Sequence, residues 1–154
     1  RTTAEDYSAY NAIMSEMEAN VTEMHKRINA LHTTRINLEK LLASLPATAN
    51  YDAVRKEATA LIARMKTWDE EMVQRKAKAY DDVDNFDNKF TANYLFLINQ
   101  TESDIPQVNQ PSRDRKAELD AQWNKLKAQV DTFTTVDIPG LNRKLWELGV
   151  GAVR

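Results

Sequence analysis

From Tyr10 to Leu45 the chain repeats apolar residues at alternating steps of four and three: Tyr10, Met14, Met17, Val21, Met24, Ile28, Leu31, then Arg35, Leu38, Leu42 and Leu45. With about 3.6 residues per turn, that spacing lays one apolar seam along one face of an α-helix, interrupted only by Arg35. Thr3 followed by Asp6 has the spacing of a reciprocal N-terminal cap, and Pro46 ends the pattern. A helix over about 4–45 is expected, roughly 60 Å long at ~1.5 Å per residue.

A second seam starts after PATAN: Val54, Ala58, Leu61, Met65, Trp68, Met72, Arg75, Ala79, Val83, Phe86, Phe90, Asn93 and Leu97. Asn50 is placed to accept from the first free amides and Asp52 sits at the positive end of the helix, so the expected span is 51–101. Pro106 and Pro111 bracket the loop that follows. A third seam, Leu119, Trp123, Leu126, Val130 and Phe133, predicts a helix over 112–134. After a TTVD interruption Ile138, Leu141, Leu145 and Leu148 predict a short one over 138–148.

Long amphipathic segments joined by short connections alternate in direction, since a few loop residues cannot carry the chain back along a helix of that length. The expected fold is all-α, one domain over 1–154: an elongated antiparallel three-helix up-down-up bundle of the spectrin-like type, closed by a short C-terminal helix. Each seam is about two positions in seven, widened locally by Ile36, Ile62 and Ile98, which suits a narrow bundle. Asp81 to Asn88 crowds poor helix formers together, and a break there makes four helices.

Composition agrees with a helical, core-forming chain. Of 154 residues 42% are hydrophobic and 29% charged, with only three Gly and four Pro. The formal net charge of −2 comes from signs mixed along the sequence, which gives no electrostatic pull toward nucleic acid or an anionic membrane. There is no cysteine, hence no disulfide, thiolate metal site or cysteine nucleophile. The longest apolar run, YLFLI at Tyr94 to Ile98, is far short of the ~20 residues of a membrane helix.

Candidate chemistry is sparse. The stretch YDDVDNFDNKF, with Asp81, Asp82, Asp84 and Asp87, invites a calcium loop, but counting from Asp82 places Phe86 at ligand five, Asp87 at the glycine of position six and Asn93 at ligand twelve. His25 and His32 are seven apart, two helical turns and roughly 10 Å, too far for one metal ion without a partner between them. The Glu that a di-metal bundle needs three residues before each His is replaced by Thr22 and Asn29. No phosphate loop, dinucleotide fingerprint or nucleophile elbow occurs, and a narrow bundle offers no cleft for a carboxylate pair. Catalytic, cofactor and metal residues are all expected to be none. The basic groups around Arg75 and Arg113 have acidic neighbours and read as solvated helix faces. Arg35 and Arg75 interrupt seams, and each is expected to pack its stem while its guanidinium reaches water or a carboxylate.

Trp68, Trp123, Phe86, Phe90 and Phe133 lie on seams and belong to the core, whereas Trp146 stands beside Leu145 at the margin of the last helix. Trp146 is expected either to cap the bundle end of its own domain or, if exposed, to form a docking face with Leu141 and Leu145. All three glycines, Gly140, Gly149 and Gly151, fall in the last fifteen residues. In VDIPGLNRKLWELGV, Asp137 has the place of an N-cap, Pro139 that of a first-turn proline and Gly149 that of a left-handed helix terminus.

The segment Arg115 to Val153, RKAELDAQWNKLKAQVDTFTTVDIPGLNRKLWELGVGAV, resembles the helical tail that follows the β-propeller in bacterial BNR-repeat, sortilin-like proteins. The resemblance is carried by Leu119, Trp123, Leu126 with Lys127, Asp137-Ile138-Pro139-Gly140-Leu141-Asn142, and Leu145. Upstream, Asn85-Phe86 with Lys89 and Phe90 fits the same pattern, with Asp87 in place of the usual proline. Such a resemblance implies a non-catalytic interaction or scaffold module, excised from a longer exported chain with an N-terminal propeller, and packing on or oligomerising that propeller. Any glycosyl hydrolase label would belong to the propeller. Its partners would be the propeller, a second copy of the chain or another protein, without nucleic acid or membrane insertion. The alternative is a ligand-sensing extracytoplasmic bundle holding a small molecule between helices.

Overall fold

The computed structural model describes residues 3–75, 89–104 and 107–151. These form helices α1 (Ala4–Ser44), α2 (Asp52–Met72), α3 (Phe90–Glu102), α4 (Gln110–Thr132) and α5 (Ile138–Glu147), with a 3-10 turn at Ala49–Tyr51 and a π-helical turn at Phe133–Asp137. No strand occurs among the described residues, and the fold is an all-α helical bundle.

α1 begins with the reciprocal cap that its sequence spells out. Thr3 N–H donates to Asp6 Oδ2 at 2.9 Å and Asp6 N–H donates to Thr3 Oγ1 at 3.1 Å, satisfying two otherwise free donors. The Thr3 backbone donor, with help from Gln107, holds the Asp6 carboxyl below its ordinary range. The turn from α1 to α2 is tied by Arg55, which donates to the Pro46 carbonyl at 2.6 Å and pairs with Asp52. Asn50 does not cap α2: it lies inside the 3-10 turn, where its Oδ1 accepts from the Thr48 hydroxyl at 2.7 Å.

The continuous second helix expected over 51–101 is not formed. α2 stops at Met72, residues 73–75 are irregular, and α3 starts afresh at Phe90. Arg75, expected on a seam, is exposed beyond the helix end. The stretch 81–88, where a break was expected and a calcium loop was weighed and set aside, lies outside the described residues. A helix that stops leaves carbonyls without partners, and Thr91 meets this need by donating its hydroxyl to the Met72 carbonyl at 2.7 Å. Within α3 it is Tyr94, not its neighbour Asn93 on the predicted seam, that is buried.

α4 starts at Gln110, with Pro111 tolerated in the first turn. Asn109 is its N-cap: Oδ1 accepts from the Ser112 N–H at 2.9 Å, and Asp104 holds both the Asn109 amide and the Ser112 hydroxyl. Nor does TTVD interrupt the helix. The Ile138 N–H reaches back five residues to the Phe133 carbonyl, and Thr132, Asp137 and Ile138 all keep right-handed helical angles. A proline inside an α-helix lacks a donor and collides with the carbonyl four residues back; a wider turn just before Pro139 relieves both problems. Asp137 is thus a helical residue without a capping bond, and the helices expected over 112–134 and 138–148 are one run of chain.

The molecule divides into two compact units. The first is Arg1–Lys26 with Glu70–Lys125, and the second is Arg27–Asp69 with Leu126–Arg154. The core of the first unit combines Met14, Met17, Met24 and Met72 with Phe90, Tyr94, Leu97, Leu119 and Trp123. The Phe90 ring lies 6.0 Å from Tyr94 and 6.4 Å from Trp123 between centroids, inside the range of favourable aromatic pairing. α1 and α4 run the same way here, since Asp6 meets Gln107 and Glu16 meets Lys116.

The second unit packs Ile28, Leu31, Leu38, Leu61, Met65, Trp68, Val130, Leu141 and Leu145. Its α2 runs against α4 and α5: Trp68 donates to the Leu126 carbonyl at 2.8 Å, while Glu57 pairs with Lys144 at 2.6 Å. Arg35 behaves as its sequence context suggests. Its side chain is only 13% exposed and bonds Glu39 at 3.0 Å, with Lys66 sharing that carboxylate. Its other arm meets His32 Nδ1 at 3.1 Å.

Candidate docking surface

α5 turns its two faces to opposite uses. Ile138, Leu141 and Leu145 repeat at three and four, and all are buried in the second unit. Leu141 is 0% exposed and Leu145 1%, so these two members of the expected docking face are core residues that anchor the helix. Burying a leucine side chain stabilises a fold by about 2 kcal/mol, which holds them inside. Trp146, the third member, is 77% exposed.

The outward stripe of this run is Val136, Pro139, Arg143 and Trp146, again at steps of three, four and three, and every one of them is exposed. Val136 is 60% exposed. Beside it lies an open groove of about 590 Å³ lined by Glu57, Val136, Asp137, Gly140, Arg143, Lys144 and Glu147. Gly140 contributes room, as the nearest atom to the place of a β-carbon there is Arg143 Nη2 at 4.0 Å. The walls are tied across by Glu57 with Lys144 and by Arg64, whose guanidinium stands 3.6 Å from Asp137 Oδ2. That oxygen is buried and makes no hydrogen bond.

The helix ends as Gly149 requires. Gly149 has φ +80°, its N–H donates to the Trp146 carbonyl at 2.9 Å, and the Val150 N–H donates to the Leu145 carbonyl at 2.8 Å. This pair of crossed bonds is the Schellman closure, and it fixes the last turn that carries Trp146.

Two further clusters have polar character. In the first unit the Tyr94 hydroxyl donates to Asp120 Oδ1 at 2.7 Å and accepts from Asn20 Nδ2 at 3.0 Å, while Lys116 Nζ donates to Asp120 Oδ2 at 2.6 Å and to Glu16 at 2.8 Å. Burial drives the Tyr94 hydroxyl far above its ordinary pKa, reinforced by the acceptor Asp120. Burial works against the Lys116 charge, but Asp120 and Glu16 outweigh it and raise its pKa. Both groups stay protonated at neutral pH, the wrong state for a nucleophile or general base there. Sequence reasoning missed this network; the one available signal was the Lys116 and Asp120 spacing of four on α4.

In the second unit a cleft of about 220 Å³ is lined by Arg27, Ala30, Leu31, Thr34, Val130, Thr134 and Ile138, with Arg27 ion-paired to Asp131. It falls below the ~300 Å³ at which small-molecule pockets usually begin. Among the described residues no group of three or more His, Asp or Glu side chains is placed to hold a metal ion. His25 is exposed and His32 faces Arg35. No helix of the described residues is long and apolar enough to cross a membrane. Neither protein-family models, nor curated proteins, nor solved structures give a match to this chain.

Proposed function

We propose that the chain is a non-catalytic helical interaction module that docks on a partner domain through the outward face of α5. The observation that carries this reading is Trp146, 77% exposed on a helix whose opposite face is fully packed. Tryptophan is among the residues most often found as anchors at interfaces, and Val136 and Pro139 extend its apolar stripe. The resemblance of 115–153 to the tails of BNR-repeat, sortilin-like proteins supplies the partner, a β-propeller of the same exported chain. The alternative, an extracytoplasmic ligand-sensing bundle, is the weaker reading, because the cleft beside Arg27 is below the usual size of a small-molecule pocket.

The test is the accessibility of Trp146 in the gene product at full length. Acrylamide quenching is measured on the wild type and on Trp146→Phe, the difference reporting Trp146 alone. In the 154-residue chain this indole is expected to quench freely, and in the full-length protein to be protected severalfold. Equal quenching in both, or a gene that encodes no further domain, removes the proposal.

A further inference from the structure

The apolar seam of α4 breaks its count once. Leu119, Trp123, Leu126, Val130 and Phe133 are buried at steps of four, three, four and three, and the next steps of four, three and four fall on Asp137, Gly140 and Lys144. The residues buried instead are Ile138, Leu141 and Leu145, each one place later. The irregular step, five from Phe133 to Ile138, coincides with the π-helical turn Phe133–Asp137, in which the Ile138 N–H reaches the Phe133 carbonyl.

We infer that this turn is a phase step: it holds one residue more than an α-helix needs and rotates the end of the chain so that an apolar set, rather than a polar one, enters the core. A single turn of π-helix takes up one surplus residue without ending the helix around it. Without that turn, at about 100° per residue, Ile138, Leu141 and Leu145 would swing off the core side by roughly a quarter turn. A carboxylate, a glycine and an ammonium would take their places. Burying those charges costs far more than re-spacing a few main-chain hydrogen bonds. Pro139 is accommodated by the wide turn, but the count itself is set by the apolar residues on either side of it.

The displaced polar set has its own use in the second unit. Asp137, Gly140 and Lys144 all line the open groove of about 590 Å³. Asp137 and Lys144 are paired with Arg64 and Glu57 of α2, at 3.6 and 2.6 Å. One surplus residue therefore does two things: it closes the core with leucine and lays the polar continuation of the seam along the groove. This step does not depend on whether Trp146 docks.

Deletions in the 154-residue chain test the count. Pro139→Ala restores the missing amide and is expected to melt no lower than the wild type, because the spacing of the apolar residues is unchanged. Removing Thr135 from that parent turns the step of five into four, and the melting temperature is expected to stay within about 5 °C of the parent. Removing Gln129, which is also exposed but lies in the regular part of α4, throws Val130 and Phe133 out of phase with Leu126 and is expected to lower it by more than about 10 °C. Leu141→Ala should still lower the melting temperature in the Thr135 deletion, as it does when that side chain is inside. A Thr135 deletion as damaging as the Gln129 deletion, a Leu141→Ala without effect in it, or a Pro139→Ala protein that melts lower than the wild type would overturn the inference.

Discussion

Each unit buries a large aromatic side chain with one polar atom, and the two units satisfy that atom in different ways. In the second unit Trp68 donates to a main-chain carbonyl, Leu126, so its partner is fixed by helix position alone. In the first unit Tyr94 is held between side chains from two other helices, Asn20 of α1 and Asp120 of α4, and Asp120 is in turn bound by Lys116. A main-chain partner tolerates change in the surrounding sequence. A side-chain network does not, because removing any member strands the others in a half-buried setting. The first unit should therefore be the one that responds to charge and pH, and the second the one that responds to volume.

The largest effects should come from volume in the second unit. Trp68→Ala and Leu141→Ala are each expected to cost about 3–5 kcal/mol, read as a fall in the urea midpoint, because both leave cavities in a packed core. Tyr94→Phe keeps the ring and removes only the hydroxyl, with an expected cost of about 1–2 kcal/mol. Paired with Asp120→Asn in a double-mutant cycle, it should show coupling of about 0.5–2 kcal/mol; strict additivity would mean the network is not a unit.

The pH response follows from the directions of the two shifts. Tyr94 and Lys116 both have raised folded pKa values, against ordinary values of 10.0 and 10.5. Above pH 10 the unfolded chain gives up these protons while the folded chain keeps them, so their contribution is fully present below that value and is lost as pH rises toward the folded values. Thermal melts from pH 7 to 11 should fall at the alkaline end in the wild type and fall less in Tyr94→Phe. An identical alkaline fall in both proteins would detach Tyr94 from the effect.

Smaller effects belong to the end of α5. Gly149→Ala forces a β-carbon into a left-handed residue and should cost about 1 kcal/mol in a denaturant melt, although nothing lies within 4 Å of the new atom. Trp146→Ser, at a side chain 77% exposed, should change stability by less than about 0.5 kcal/mol in the same assay. A larger loss would show that the indole belongs to the core of its own unit.

Much of this contrast was invisible before the fold was known. The seam of α1 put Met14, Met17, Met24, Ile28, Leu31 and Leu38 inside, and all six are buried. Trp68 and Trp123 were equally legible, because a long seam of regular period leaves one face to bury. What the period could not reveal was where it stops. Met72, Arg75 and Asn93 keep the spacing of four and three on paper, yet the helix ends at Met72 and α3 resumes with Tyr94 inward. Two distant partners, Thr91 for the free carbonyl and Asp120 with Asn20 for the phenol, favour that phase. Likewise Leu141 and Leu145 carried the same apolar signal as Trp146, and only the rotation of α5 within its unit separates two core residues from one exposed indole.

Local chemistry, then, is enough to give α1, the Thr3 and Asp6 cap and the Gly149 terminus, because each depends on residues within one or two turns of one another. The end of α2, the polar network around Tyr94 and the outward face at Trp146 depend on which helix lies opposite. A helical period fixes how side chains are distributed around an axis, but not which of those directions another element will cover.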